Sequence, residues 1–395
     1  MSARKKLIVY HTNWSMYGRN YHVSNLPIDK ITDINYAFLD LKQSDAYENF
    51  FVPTLSDPWS DVDKRYTDDT SVPPPDTWND DNCFPFGNFG QFVKLKKLGK
   101  KFNFGISIGG WTFSKYFSSA VSSEASRKKF VDAVVDLIKK FSLINRVDLD
   151  WEYISPPGKN YGLEGNIVGE GDGYNFGLLL QELRNRLNQS FGENYIEISA
   201  CVTSDPSKIS ALPLKEMSLY LDTINIMTYD FNSSAWGPVL AGHQTNLYPS
   251  LPYAPLSVTG AVEAYIKSGI VPSKIVIGVA FYSRGFANTE GLGKPSNGVV
   301  EDMSWEQGVC DYKSLPRPGS TEYWDSIAHA TYSYDPVKKI LNSYDSVDSI
   351  KAKCEYVWEK GLAGIIVWES SGDVMDVNDS RSLFRALNEG LASRK

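Results

Sequence analysis

NRVDLDWEY, residues 145–153, carries two kinds of chemistry on one short run. Val147, Leu149 and Trp151 are apolar and alternate with Asp148, Asp150 and Glu152. Side chains two apart on a strand point to one face, so the three carboxyls share a side. An exposed acidic face is a poor fit, because the opposite face is apolar as well. A strand covered on both sides belongs to a parallel sheet packed between helices. Residues 123–142 lead straight into it, with Phe130, Val134, Leu137, Ile138 and Phe141 at helical spacing.

On either side of this run, short β-branched segments near residues 6–12, 33–39, 102–108, 146–152, 196–202, 223–229, 275–281 and 364–368 alternate with helical patterns. Eight such units predict an α/β fold, a (β/α)8 TIM barrel with 146–152 as its fourth strand. The 395 residues exceed a plain barrel of roughly 250, and two stretches take up the excess. Residues 41–90, rich in Asp, Pro, Ser and Tyr, read as a long connection without periodicity. Residues 285–345 are too many for one crossover helix and predict a small α+β insertion between strands 7 and 8. The barrel then spans 1–284 and 346–395.

The shared face of Asp148, Asp150 and Glu152 is the barrel interior, with Glu152 at the C-terminal rim where barrel enzymes keep their active sites. Three inward carboxyls repel one another when ionised. At least one therefore holds a proton near neutral pH, which suits a general acid. Asp-rich clusters also bind Mg or Ca through oxygens, but no surrounding ligand loop is visible, so neither a metal nor a cofactor is expected.

A net charge of −7 and a pI near 5.3 argue against a nucleic-acid partner, and a neutral polymer is the easier ligand. No apolar run approaches the roughly 20 residues of a membrane helix, so no membrane partner is expected. MSARKKLIVYHTNW opens the chain with a basic start and a short apolar run that becomes a strand. No signal peptide is visible there, which predicts an intracellular, spore-associated or cell-wall location, or a trimmed secreted enzyme. Cys83, Cys201, Cys310 and Cys354 lack metal-ligand spacing and read as free thiols, two of them buried. A monomer is expected.

Further motifs join this strand: VYHTNWSMYGRN (9–20), NYAF (35–38), SIGGW (107–111), INIMTYDF (224–231), FYSRGF (281–286), SWEQGV (304–309) and IIVWE (365–369). Together they resemble the chitinases of glycoside hydrolase family 18, fungal and yeast type, over nearly the whole chain. The resemblance implies retaining hydrolysis of β-1,4 bonds between N-acetylglucosamine units of chitin and chito-oligosaccharides, assisted by the substrate. Glu152 protonates the leaving oxygen, the acetamido carbonyl oxygen attacks the anomeric carbon to give an oxazolinium ion, and Glu152 then acts as base for water.

By the same resemblance Asp150 hydrogen-bonds the acetamido N–H, and Asp148 shares a proton with it. Tyr229 supports the acetamido oxygen, with Asp230 and Met227 completing the pocket. Trp368 floors the sugar pocket, while Trp111, Tyr10 and Phe38 line the cleft. Arg284 stands near the pocket with Tyr282 two residues before it, and Trp236 serves the leaving-group side. The family signature Asp-Gly-x-Asp-x-Asp-x-Glu is matched at its last three acidic positions. Asn145 and Arg146 replace its opening Asp-Gly, and Ile154 follows where Pro is common, which predicts altered packing or rate rather than lost chemistry. The alternatives are a chitin-binding lectin on this fold and an endo-N-acetylglucosaminidase acting on glycans.

Overall fold

The computed structural model describes residues 3–77, 84–301 and 304–394. Its strands are β1 (Lys6–Thr12), β2 (Asp33–Ser44), β3 (Phe50–Leu55), β4 (Asn103–Gly109), β5 (Arg146–Asp150), β6 (Glu197–Val202), β7 (Thr223–Ile226), β8 (Val239–Leu240), β9 (Ile275–Ala280), β10 (Tyr282–Phe286), β11 (Pro295–Ser296), β12 (Val309–Asp311), β13 (Thr321–Asp325), β14 (Ala330–Asp335), β15 (Ile340–Tyr344) and β16 (Gly364–Trp368). The main sheet runs β1-β16-β9-β7-β6-β5-β4-β2, and β1 also pairs with β2. That closes an eight-stranded parallel barrel. Its strands are apolar on both faces because both are buried: Leu7, Ile8, Val9, Val147, Leu149, Ile224, Ile226, Val276 and Ile366 are all without exposure.

Helix Glu124–Lys140 sits where the spacing predicts one. Ser123 caps it, accepting from the Ser126 N–H, while Phe130, Val131, Val134, Val135 and Ile138 form its buried face. The connection over 41–90 is more ordered than its composition suggests. β2 runs on to Ser44 and turns back through Glu48 and Asn49, both left-handed, so that β3 pairs antiparallel from Leu39↔Leu55 to Ser44↔Phe50.

The chain divides into two compact units. One takes the chain up to Val9, Thr203–Pro206 and the described residues from Asn225 onward; the other takes Tyr10–Val202 and Ser207–Ile224. In the first unit, β12-β10-β15-β14-β13 form a five-stranded antiparallel sheet, and helix Val347–Glu359 follows β15. Cys201, Cys310 and Cys354 are free, and all three are buried where two buried thiols were expected. Cys83 lies outside the described residues.

Candidate active site

In the second unit β5 ends at Asp150, so Glu152 stands on the turn that leaves the strand rather than on the strand itself. Ser114 and Asn166 hold that turn. The Glu152 N–H donates to Ser114 Oγ at 2.8 Å, and Asn166 Nδ2 donates to the Glu152 carbonyl at 3.0 Å. Asp148, fully buried, lies at the base. Tyr10 donates its hydroxyl to Asp148 Oδ2 at 2.5 Å and Ser107 does so at 2.8 Å, while Ser199 donates to Oδ1. These donors replace the water that the carboxylate loses on burial.

Asp150 differs from Asp148 in its surroundings. It is 3% exposed, and its Oδ1 has no hydrogen-bond partner among the described residues. Burial pushes its carboxyl well above the usual carboxylate range, and the charges of Glu152 and Asp148 push the same way. Cys201, 2.7 Å from the Tyr10 hydroxyl, is likewise held up by burial and by Asp148 and Asp150, so it stays a neutral thiol.

The first unit carries a second group after β7. Tyr229 and Met227 are buried, and Tyr229 packs edge-on to Tyr282 with ring centroids 6.3 Å apart. Asp230, at φ 58°, takes a left-handed turn rare for a non-glycine residue. Its Oδ1 accepts from the Tyr282 hydroxyl at 2.7 Å and from Arg284 Nε at 2.7 Å, and its Oδ2 accepts from Arg284 Nη2 at 3.1 Å. Burial opposes the Arg284 charge, yet Asp230 outweighs it and holds the guanidinium firmly protonated. Arg284 also lies 5.1 Å over the exposed ring of Trp236 and pairs with Glu306 at 3.1 Å. Trp368 ends β16, paired with Ala280 of β9, and is partly exposed.

The family model described as glycosyl hydrolases family 18 matches residues 6–373. The chain belongs to that family. It is thus a glycoside hydrolase. A protein named endochitinase 1 from Metarhizium robertsii is 37% identical over 372 residues, covering 92% of this chain and 81% of its own. Sporulation-specific chitinase 2 of Saccharomyces cerevisiae is 30% identical, with 97% and 77% covered. Among solved structures, the catalytic domain of a psychrophilic chitinase B from Arthrobacter superposes with a TM-score of 0.85 at 30% identity, covering 98% of this chain and 95% of that one.

Within this family 18 chain, two expected residues sit differently from the sequence reading. Tyr10, expected to line a cleft, is 1% exposed, and its hydroxyl turns down to Asp148. Phe38 is buried as well, near Tyr10 and Trp14, with both ring centroids 6.2 Å away, whereas Trp111 is open to solvent. Ser107, which opens the SIGGW motif, is a direct partner of Asp148. Sequence reasoning missed Ser199 and Cys201, although their spacing in EISACV puts both on one strand face. It also missed Gln244, whose Oε1 accepts from the Asp230 N–H at 3.1 Å while its Nε2 donates to the Tyr282 carbonyl at 2.9 Å. No spacing rule links those three positions. Among the described residues, no group of three or more His, Cys, Asp or Glu is arranged to hold a metal ion.

Proposed function

We propose that this chain is a retaining chitinase that cleaves β-1,4 bonds between N-acetylglucosamine units, with Glu152 as general acid and then general base. The observation that carries the reading is Asp150: a buried carboxyl whose titration is pushed upward by burial and by the charges of Glu152 and Asp148, with an unpartnered oxygen two residues from the acid. A buried acceptor left empty is costly. The N–H of a 2-acetamido group is the donor such a site calls for.

The steps balance without a protein nucleophile. Glu152 gives its proton to the glycosidic oxygen. As that C–O bond breaks, the acetamido carbonyl oxygen bonds the anomeric carbon and positive charge spreads over the oxazolinium ring. Asp150 accepts the acetamido N–H, and the negative charge on the ladder stabilises the ring. Water then attacks the same carbon and gives a proton to Glu152 as the bond from that carbon to the acetamido oxygen breaks, restoring the acetamido group. Two inversions give net retention.

Other roles follow from the resemblance. Tyr229 donates to the acetamido oxygen, Asp230 and Met227 complete its pocket, and Arg284 with Tyr282 holds Asp230 in place. Trp368 offers an indole face to the pyranose, and Trp111 and Trp236 contact further sugars. Tyr10 acts through Asp148. We also infer a monomer with neither nucleic acid nor membrane as partner, and an insertion at 285–345 in a barrel of 1–284 and 346–395. Sedimentation and limited proteolysis test these points.

The test is a defined N-acetylglucosamine hexamer followed by NMR. The reading predicts shorter oligomers released first as the β-anomer. The α-anomer appearing first would refute retention. Binding without turnover would instead indicate a lectin, and cleavage of an N-glycan but not the hexamer a glycan-directed enzyme.

A further inference from the structure

Arg146 occupies the place where the family signature has glycine, and it is fully buried. Its Nη1 lies 2.6 Å from Glu197 Oε2 of β6 and 3.7 Å from Asp33 Oδ1 of β2. Its Nη2 donates to Thr223 Oγ1 of β7 at 2.9 Å, and its Nε donates to Asn35 Oδ1 of β2 at 3.1 Å. Gly105 on β4 leaves the space it needs, since a Cβ there would sit 3.0 Å from its chain. The neighbouring substitution is accommodated too. Asn145 Oδ1 accepts from the Phe104 N–H at 2.8 Å, and its Nδ2 donates to Asn103 at 2.9 Å.

Two acids, Asp33 and Glu197, therefore lie below a ladder of three more. Arg146 stands between the two sets, two residues below Asp148 on the same strand face, about 7 Å along the strand. Asp148 is faced by Tyr10 from β1, Ser107 from β4, Ser199 and Cys201 from β6, and Asp150 and Glu152 from its own segment. Hydroxyls and a thiol do not offset the charge of Asp33 and Glu197; a guanidinium does. Burial opposes the Arg146 charge, but Asp33 and Glu197, then Asp148 and Tyr10, outweigh it and keep the group charged.

We propose that Arg146 is a positioning residue for the glycosidase reaction: a cation built into the base of the barrel that shields the ladder from the acids beneath and keeps its shared proton beside the sugar. The inference rests on the reading of Asp148, Asp150 and Glu152 as the catalytic ladder. A unit charge about 7 Å away, at an effective dielectric near 20, moves a carboxyl titration by roughly one to two pH units.

The experiment measures kcat/KM against pH on a chito-oligosaccharide for wild type, Arg146→Lys, Arg146→Met and the triple variant Arg146→Met, Asp33→Asn, Glu197→Gln. Without the cation, the ladder binds its protons more tightly. The acid limb of Arg146→Met is expected to move up by about one to two pH units, while Arg146→Lys keeps the wild-type limb and the triple variant, which loses two anions along with the cation, shows no upward movement. A folded Arg146→Met with lower activity at every pH but an unmoved limb overturns the inference, because packing alone would then explain the residue. Should that variant not fold, Arg146→Met with Asp33→Asn replaces it. Its limb is expected to move about half as far, and no movement overturns the inference. A wild type without turnover removes the chitinase reading and this inference together, whereas turnover with an unmoved limb removes only the role of Arg146.

Discussion

Adding a single methyl group at Gly278 tests how closely Tyr229 is seated. Gly278 lies on β9 against the Tyr229 ring, and a Cβ there would lie 2.6 Å from Cε1, 2.9 Å from Cδ1 and 3.1 Å from the Ile226 carbonyl oxygen. Ordinary contact begins at 3.4 Å, so the ring has to yield by 3.4 − 2.6 = 0.8 Å. It has little freedom to do so. Thr228 Oγ1 donates to the Gly278 carbonyl at 2.8 Å and accepts its N–H at 2.8 Å, and Tyr282 packs edge-on to the ring with centroids 6.3 Å apart. Overpacking of this kind costs about 1–3 kcal/mol of stability, and a catalytic group misplaced by about 1 Å loses on the order of 10²-fold in rate. Gly278→Ala is therefore expected to lower kcat/KM on a chito-oligosaccharide by roughly 10–100-fold while remaining folded by thermal melting. The effect should run through the tyrosine, so adding it to Tyr229→Phe should cost little more than Tyr229→Phe alone. Wild-type kcat/KM in Gly278→Ala, or losses that multiply in the double variant, would refute this seating.

Three further outcomes follow from the geometry. The raised titration of Asp150 means the folded protein holds a proton that the unfolded chain releases near pH 4, so its contribution to stability falls as pH rises above that point. Asp150→Asn abolishes that fall, and its melting temperature relative to wild type should rise between pH 4 and pH 7; a constant difference would contradict the assignment. Lys353 and Asp345 form a fully buried pair at 2.7 Å, so Lys353→Met should cost about 3–5 kcal/mol in chemical denaturation, partly recovered when Asp345→Asn is added. Tyr10→Phe removes a donor to Asp148 and should cost about 1.5–3 kcal/mol of stability without raising KM; a raised KM would show that the ring faces the sugar after all.

The barrel was legible because its strands are short, apolar on both faces and separated by helical spacing, a pattern that local chemistry alone imposes on the chain. The carboxylate ladder was legible for the same reason, since a period of two fixes a common face. What the sequence hid depends on contacts between distant positions. Tyr10 and Asp148 are 138 residues apart, and only the closed sheet brings the hydroxyl to the carboxylate. Arg146 read as a departure from a signature until its partners on three other strands were seen. The strand of Glu152 ends two residues early because the turn is held by Ser114 and Asn166, neither on a strand. β3 escaped notice because Pro53 breaks the apolar run FFVPTL, and Pro is tolerated in an edge strand.

Hydrolysis of a chito-oligosaccharide by Glu152→Gln beside wild type tests the central claim most directly. The substitution keeps the shape of the side chain and removes its proton. Turnover should fall by at least roughly 10²–10⁴-fold while the oligosaccharide still binds. Equal rates from the two proteins would mean that Glu152 is not the acid.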